Sequence, residues 1–302
     1  MKRIIRHLAL VVAPALCLGA QPPAHDPYQV VHGWPQLPPG FVLGQVSGVG
    51  VDSHSQVFVF HRAENSWAAD KSRLISSPTV VCFDGATGKL QFSWGASRFV
   101  APHGLRVDLQ DNVWVTDTAL HQVFKFSHDG KLLLTLGTER SAGVDATHFN
   151  RPTDIAFGSD GSIFVADGYG NSRIAKFSAD GHFLLDWGHK GSGPGEFDTP
   201  HSVVVDGHGL VYVADRGNSR IQVFDAKGQF LKSWNSDELG RPWGLGARCC
   251  CRQRRRGVCR GRLARHARAE IHAAPRWRLI PSPSAAAYLS PILSPSCGVS
   301  PS

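Results

Sequence analysis

Between Val46 and Trp234 the apolar residues come in short runs that alternate with polar ones or are β-branched and aromatic, and each run is closed by a turn signal. In residues 152–188, PTDIAFGSDGSIFVADGYGNSRIAKFSADGHFLLDWG, the runs are DIAF, SIFVAD, RIAKF and FLLDW, separated by SDG, GYGNS and SADG. Runs of this kind predict short strands joined by tight turns. No segment holds the 3.6-residue period of an amphipathic helix over a useful length.

The same phrase recurs. VSGVGVDSHSQVFVFHR (46–62) continues after an insertion as TVVCFDGATGKLQFSWG (79–95), and full units follow at 102–137, 152–188 and 200–234. A fifth opens at PWGLGA and stops. The openings fall at Pro102, Pro152, Pro200 and Pro242, which are 50, 48 and 42 residues apart. Four antiparallel strands per unit at this period predict an all-β β-propeller of about four blades plus a fragment, over residues 46–246. A solenoid of β-units is the structural alternative. Within each unit Asp117, Asp167, Asp215, Arg173 and Arg220 recur with the scaffold and read as structural, the Asp capping the turn after the second strand.

The two ends read differently. MKRIIRH followed by LALVVAPALCLGA is a basic start, then a short apolar run ending in small residues: a secretory signal peptide over 1–20, cleaved near Gly19 or Ala20. The run is too short to span a bilayer. Residues 21–45 read as a lead-in to the blades, and the mature chain as a secreted or periplasmic, monomeric protein without a membrane span.

The formal net charge of +8 is misleading, because residues 247–302 hold eleven Arg against the single acid Glu270. That tail carries +10, so the remainder carries −2, and nucleic-acid binding is not expected of the blades. Cysteine is as lopsided: apart from Cys17 in the leader, only Cys82 lies outside the tail. The tail has no strand alternation and reads as disordered or as translation of a shifted frame. Its CCC run and Cys259 lack the paired spacing of a zinc site.

Candidate chemistry lies where the units stop agreeing, because scaffold repeats and a site does not. The residue after each opening Pro is His103, Thr153, His201 and Trp243 in turn. This position enters the innermost strand near the axial channel, so the two His point at one axis from alternate blades. A third from a sixth blade would complete a facial trio fit for Zn²⁺; the alternative is that both satisfy turn hydrogen bonds. His121, His128 and His148 lie in turns and read as surface residues. Tyr169 and Arg216 occupy equivalent turns after the second strand, and Arg62 ends that strand in the first unit. One Tyr and two Arg beside a metal suit an anionic substrate whose hydroxyl loses a proton.

These phrases, VSGV…FHR, PHGL…VTDTALHQVFKF, PTD, ADGY…NSRI, PHS…VADR…RIQ, resemble the peptidyl-α-hydroxyglycine α-amidating lyases, six-bladed propellers of NHL-type repeats, over about Val46 to Phe230. The resemblance implies His103 and His201 as two of three zinc ligands. It implies Tyr169 as the catalytic base, and Arg62 and Arg216 as active-site arginines that bind the substrate carboxylate and favour the phenolate. The main-chain carbonyls of Val49 and Leu105 match two ligands of a structural calcium. The implied substrate is a small peptide ending in α-hydroxyglycine, split to peptide amide and glyoxylate.

The departures are equally specific. Asn150 with Gly170, and Tyr212 with Val223, stand where the animal enzymes have two disulfides. The family's third zinc His and a calcium-binding Asp, in a Pro-His-Asp phrase, find no match after Gly246, and His266 and His272 do not inherit that role. A propeller so shortened is expected to be impaired or unstable. Two rival readings remain: a non-catalytic NHL propeller binding a peptide, protein or glycan, and a calcium-dependent lactonase-type propeller, against which His rather than acidic residues at the axis argues.

Overall fold

The computed structural model describes residues 31–235 and 240–246; the leader (1–20) and the Arg-rich tail (247–302) lie outside the described residues. His32–Gly33 form a turn in a first compact unit that ends at Trp34, and everything below belongs to the second, from Pro35.

The described residues contain sixteen strands and no helix. The first sheet is β1 (Val46–Val51), β2 (Gln56–His61), β3 (Val80–Asp84) and β4 (Leu90–Trp94). The second is β5 (Pro102–Val107), β6 (Val113–Asp117), β7 (Gln122–Phe126) and β8 (Leu132–Leu136). The third is β9 (Asp154–Phe157), β10 (Ile163–Asp167), β11 (Arg173–Phe177) and β12 (Phe183–Trp187). The fourth is β13 (Pro200–Val205), β14 (Val211–Asp215), β15 (Arg220–Phe224) and β16 (Phe230–Asn235). Each sheet is an antiparallel meander in sequence order, and the first strands β1, β5, β9 and β13 pack one against the next. This is the blade architecture of a β-propeller.

The strand sequences follow from where each strand sits. The second strand of a blade is covered on both faces, so it is mainly apolar up to the polar residue that ends it. In β10, Ile163 and Val165 pack with Trp114, Val123 and Ile155 toward the second blade, while Phe164 and Ala166 pack with Phe197, Val203 and Val213 toward the fourth. Burying a side chain of this size contributes about 2–3 kcal/mol. The outermost strands β4 and β12 alternate half-buried with exposed residues, as one covered face requires. In the turn before β8, Gly130 sits at φ +91°, and a Cβ there would meet the Trp94 ring of the preceding blade at 2.6 Å. Glycine is thus fixed by both backbone conformation and close packing.

The repeated Asp is a hub of backbone donors. Asp117 accepts from the N–H groups of Val100, Ala101, Ala119 and Leu120 at 2.7–2.9 Å. Asp167 and Asp215 hold Asn150 and Asp198 in the same way, and pair with Arg173 and Arg220. The three histidines expected at the surface are instead half-buried and tied to neighbouring turns or blades. His128 reaches back to Asp52 at 3.0 Å and Gln56 at 2.7 Å and lies edge-on to Phe58, His121 Nδ1 accepts the Arg151 N–H, and His148 bonds Asp145. Their partners are 3 to 76 residues away, most on another unit, which the sequence of a single turn does not show.

His61, the last residue of β2, is 1% exposed, and its Nδ1 accepts the N–H of both Gly44 and Ala63. The ring is therefore neutral with its proton on Nε2, and burial, outweighing the charge of Glu64, lowers its pKa from 6.5 to about 4. Because the folded value lies below the unfolded one, the unfolded chain binds more protons between pH 6.5 and 4, and stability falls as pH falls through that window. From pH 6.5 to 5 the expected loss is about 1–2 kcal/mol. His61→Asn keeps an acceptor and cannot titrate; its urea midpoint should fall less between pH 7 and 5 than that of the parent chain.

Candidate functional site

The site is built from the openings of two inner strands and the turns after two second strands. His103 and His201 are the second residues of β5 and β13; both are largely buried, with ring centroids 5.0 Å apart. Between them stands Tyr169, in the turn that follows β10. Its loop is pressed against the fourth blade, where a Cβ on Gly168 would lie 1.8 Å from the Pro200 carbonyl oxygen. Only a glycine lets the chain approach this closely and deliver the next side chain to the axis.

The tautomers of both histidines are fixed by the backbone of the following unit. His103 Nδ1 lies 2.7 Å from the Thr153 carbonyl oxygen, and His201 Nδ1 lies 2.6 Å from that of Trp243. A carbonyl only accepts, so each Nδ1 carries the proton and each Nε2 presents a lone pair. Burial, with the opposing His201 and then Arg62 adding to it, lowers the His103 pKa to about 3; burial and Arg216 lower that of His201 to about 4. Both rings are neutral at physiological pH.

Both Nε2 atoms point at one hydroxyl. Tyr169 Oη lies 3.1 Å from His103 Nε2 and 2.9 Å from His201 Nε2. A phenol has one proton, so it donates to one nitrogen while the other lone pair faces oxygen lone pairs. A cation accepting both nitrogens would resolve that conflict, and neutral imidazoles held by Nδ1–H···O=C contacts are the form in which His ligates metals. The donor set therefore fits a divalent ion such as zinc. Among the described residues no group of three or more His, Cys, Asp or Glu side chains is placed to hold one.

Cations surround this centre. The Arg62 guanidinium lies over the Trp67 ring at 5.0 Å, and that of Arg216 lies over Tyr169 at 5.3 Å and Trp243 at 4.1 Å. The Nε atoms of Arg62 and Arg216 are buried without a hydrogen-bond partner. Burial lowers the Arg62 pKa, against Tyr169 and Asp117. Burial also raises the Tyr169 phenol above its ordinary value, although Arg216, Arg62 and Arg151 pull the other way. The two arginines thus pull toward the phenolate, but burial outweighs them among the described residues.

Three residues at the site were missed by comparison of the repeats. Trp67 lies in the insertion between β2 and β3, which has no counterpart in the other units, and its ring sits 5.9 Å from His103 and 5.5 Å from Tyr169. Trp243, 47% exposed, packs on His201 at 5.1 Å. Arg151, in the turn before β9, lies over Tyr169 at 5.3 Å. The signal for Trp243 was present, since it occupies the same position as the two histidines. A cleft of about 400 Å³ opens beside Tyr169, lined also by Gly170, Asn171, His189, Lys190 and Thr199. The Val49 and Leu105 positions are neighbours on β1 and β5, where Gly48 packs on the Leu105 backbone.

No helix among the described residues is long and apolar enough to cross a membrane. The NHL repeat family model matches residues 149–177 and 197–224. Over 200 residues the chain is 42% identical to the peptidylglycine alpha-amidating monooxygenase of Rattus norvegicus, covering 59% of this chain and 20% of that protein. Over 203 residues it is 38% identical to peptidyl-alpha-hydroxyglycine alpha-amidating lyase 2 of Drosophila melanogaster, covering 62% and 48%. It is 34% identical over 203 residues to NHL repeat-containing protein 3 of Homo sapiens, covering 63% and 54%. The chain thus spans between a fifth and about half of the length of these curated relatives.

Proposed function

We propose, taking as premise that the chain belongs to the NHL-repeat family of peptidyl-alpha-hydroxyglycine alpha-amidating lyases, that its axial site splits a peptidyl-α-hydroxyglycine into a peptide amide and glyoxylate. The observation that carries this reading is the convergence of two imidazole lone pairs on one phenol, flanked by two arginines whose Nε donors are buried and unused.

Arg62 and Arg216 bind the terminal carboxylate of the substrate, which supplies the acceptors their Nε–H groups lack. That places the carbinol carbon beside the Tyr169 oxygen. Tyr169, ionised to the phenolate that Arg62 and Arg216 favour, takes the hydroxyl proton; the C–O bond becomes C=O as the C–N bond breaks, and the leaving nitrogen takes that proton from Tyr169 to give the amide and restore the phenolate. His103 and His201 would hold a zinc ion through Nε2, and its contribution there would be that of a Lewis acid. The carbonyls of Val49 and Leu105 would contribute to a calcium site that ties the first two inner strands together. Trp67 and Trp243 wall the site and limit water.

Incubating the purified chain with a hydroxyglycine-terminated peptide, with zinc or with a chelator, tests this. Two imidazoles bind zinc less firmly than three, so we expect slow glyoxylate release that rises with added zinc and disappears with chelator. His103→Ala and His201→Ala should each lower the zinc bound at equilibrium dialysis at least tenfold. Peptide binding without release at saturating zinc would instead favour a non-catalytic NHL propeller.

A further inference from the structure

The site holds more positive charge than one carboxylate uses. Besides Arg62 and Arg216, the Arg151 guanidinium lies over the Tyr169 ring at 5.3 Å, and Lys71 Nζ lies over the Trp67 ring at 5.1 Å. The two rings are themselves neighbours, 5.5 Å apart. None of the four cations has a carboxylate within the 4.0 Å of an ion pair among the described residues. The carboxylate whose charge Arg62 feels, Asp117, is committed elsewhere, to four backbone N–H groups. Lys71 spends one of its three donors on the Trp67 carbonyl, leaving two.

The scaffold does not demand these charges. Arg151 sits just before the Pro that opens its blade, at φ +65°, and Thr199 sits at the same place in the next blade at φ +59°. Ala101 precedes Pro102 in the second blade. The turn is thus satisfied by a neutral residue, and the charge at 151 is additional to it. Lys71 is likewise held in place by the chain around it: Arg140 donates to the Lys71 and Ser72 carbonyls at 3.3 and 3.0 Å, and Gln45 accepts the Trp67 N–H at 2.7 Å. The β2–β3 insertion is tied down over the site with its lysine on the aromatic wall.

We propose that Arg151 and Lys71 form a second anion subsite beside the Tyr169–Trp67 pair, so that the preferred substrate carries a negative charge on the residue preceding the hydroxyglycine as well as the terminal carboxylate. This deepens the lyase reading and rests on it. Four cations around a monoanion leave an excess of positive charge that a dianion reduces, and partial burial keeps the interaction from being screened away as it is at an open surface.

Two unreactive probes isolate the charge: acetyl-Phe-Glu-Gly and acetyl-Phe-Gln-Gly, which lack the carbinol hydroxyl and differ only in one carboxylate. Their binding to the full chain is followed by tryptophan fluorescence, Trp67 and Trp243 lying at the site. We expect the Glu peptide to bind about tenfold tighter at low salt, a preference that shrinks to below threefold in Arg151→Gln and to about one in Arg151→Gln/Lys71→Met. Equal affinities in the parent chain, or a preference that survives in the double variant, would overturn the subsite while leaving the lyase reading to the glyoxylate assay. Binding of neither peptide would overturn the subsite as well.

Discussion

Replacing Tyr169 with Phe should lower glyoxylate release by about 10²–10⁴-fold, the range over which a positioned proton-transfer group acts. The substitution removes one oxygen and keeps the ring, which the Arg216 and Arg151 guanidiniums and Trp67 all contact. The fold should therefore hold, with an unchanged urea midpoint. Zinc binding should be retained, because removing the hydroxyl leaves both Nε2 atoms open. The useful contrast is with Arg62→Lys, which keeps a charge but loses the planar fork and should raise KM more than it lowers kcat. A Tyr169→Phe chain with more than a tenth of the parent rate would remove the phenol from the mechanism.

The largest effect on stability is expected at the blade hub, not at the axis. Asp167 is fully buried and accepts from the Asn150 N–H at 2.9 Å, Asn171 Nδ2 at 2.7 Å and Arg173 Nε at 3.0 Å. Burial pushes its carboxyl up, and these donors work against that rise. Asp167→Ala would leave the Arg173 guanidinium, itself 3% exposed, without its buried partner, together with two orphaned donors. Breaking a buried pair from one side costs about 3–5 kcal/mol. The lower part of that range is expected here, because Arg173 keeps the half-exposed Asp186 at 2.6 Å and three backbone carbonyls. Urea denaturation of the two chains at pH 7 measures it; a midpoint equal to the parent's would mean that the hub carries no net stabilisation.

Blade architecture was legible because its devices are local. The glycine before each fourth strand, the Asp that ends the second strand in the second, third and fourth units, and the two-faced apolar strands recur from unit to unit, so comparing units isolates them. His103, His201, Tyr169 and Arg216 were legible for the opposite reason, as departures at aligned positions. Trp67 was not, since it lies in an insertion with nothing to align against. Arg151 was not, because a charged residue in a turn is ordinary until its neighbour in the adjoining turn of the same blade, Tyr169, is known. The buried setting of His128 escaped for a similar reason: its partners Asp52 and Gln56 belong to another blade. The net direction of the Tyr169 pKa also lay beyond the sequence, which shows which arginines are present but not how much water has been removed from around the phenol.

The orienting acceptors of both imidazoles are main-chain oxygens, at 153 and 243, and a peptide carbonyl is the same whatever side chain accompanies it. Threonine serves one histidine and tryptophan the other. Selection is therefore free to vary these two side chains without disturbing the tautomer, and each has been turned to separate use: the threonine hydroxyl stitches its wedge to Pro200, and the indole shields the outer side of His201.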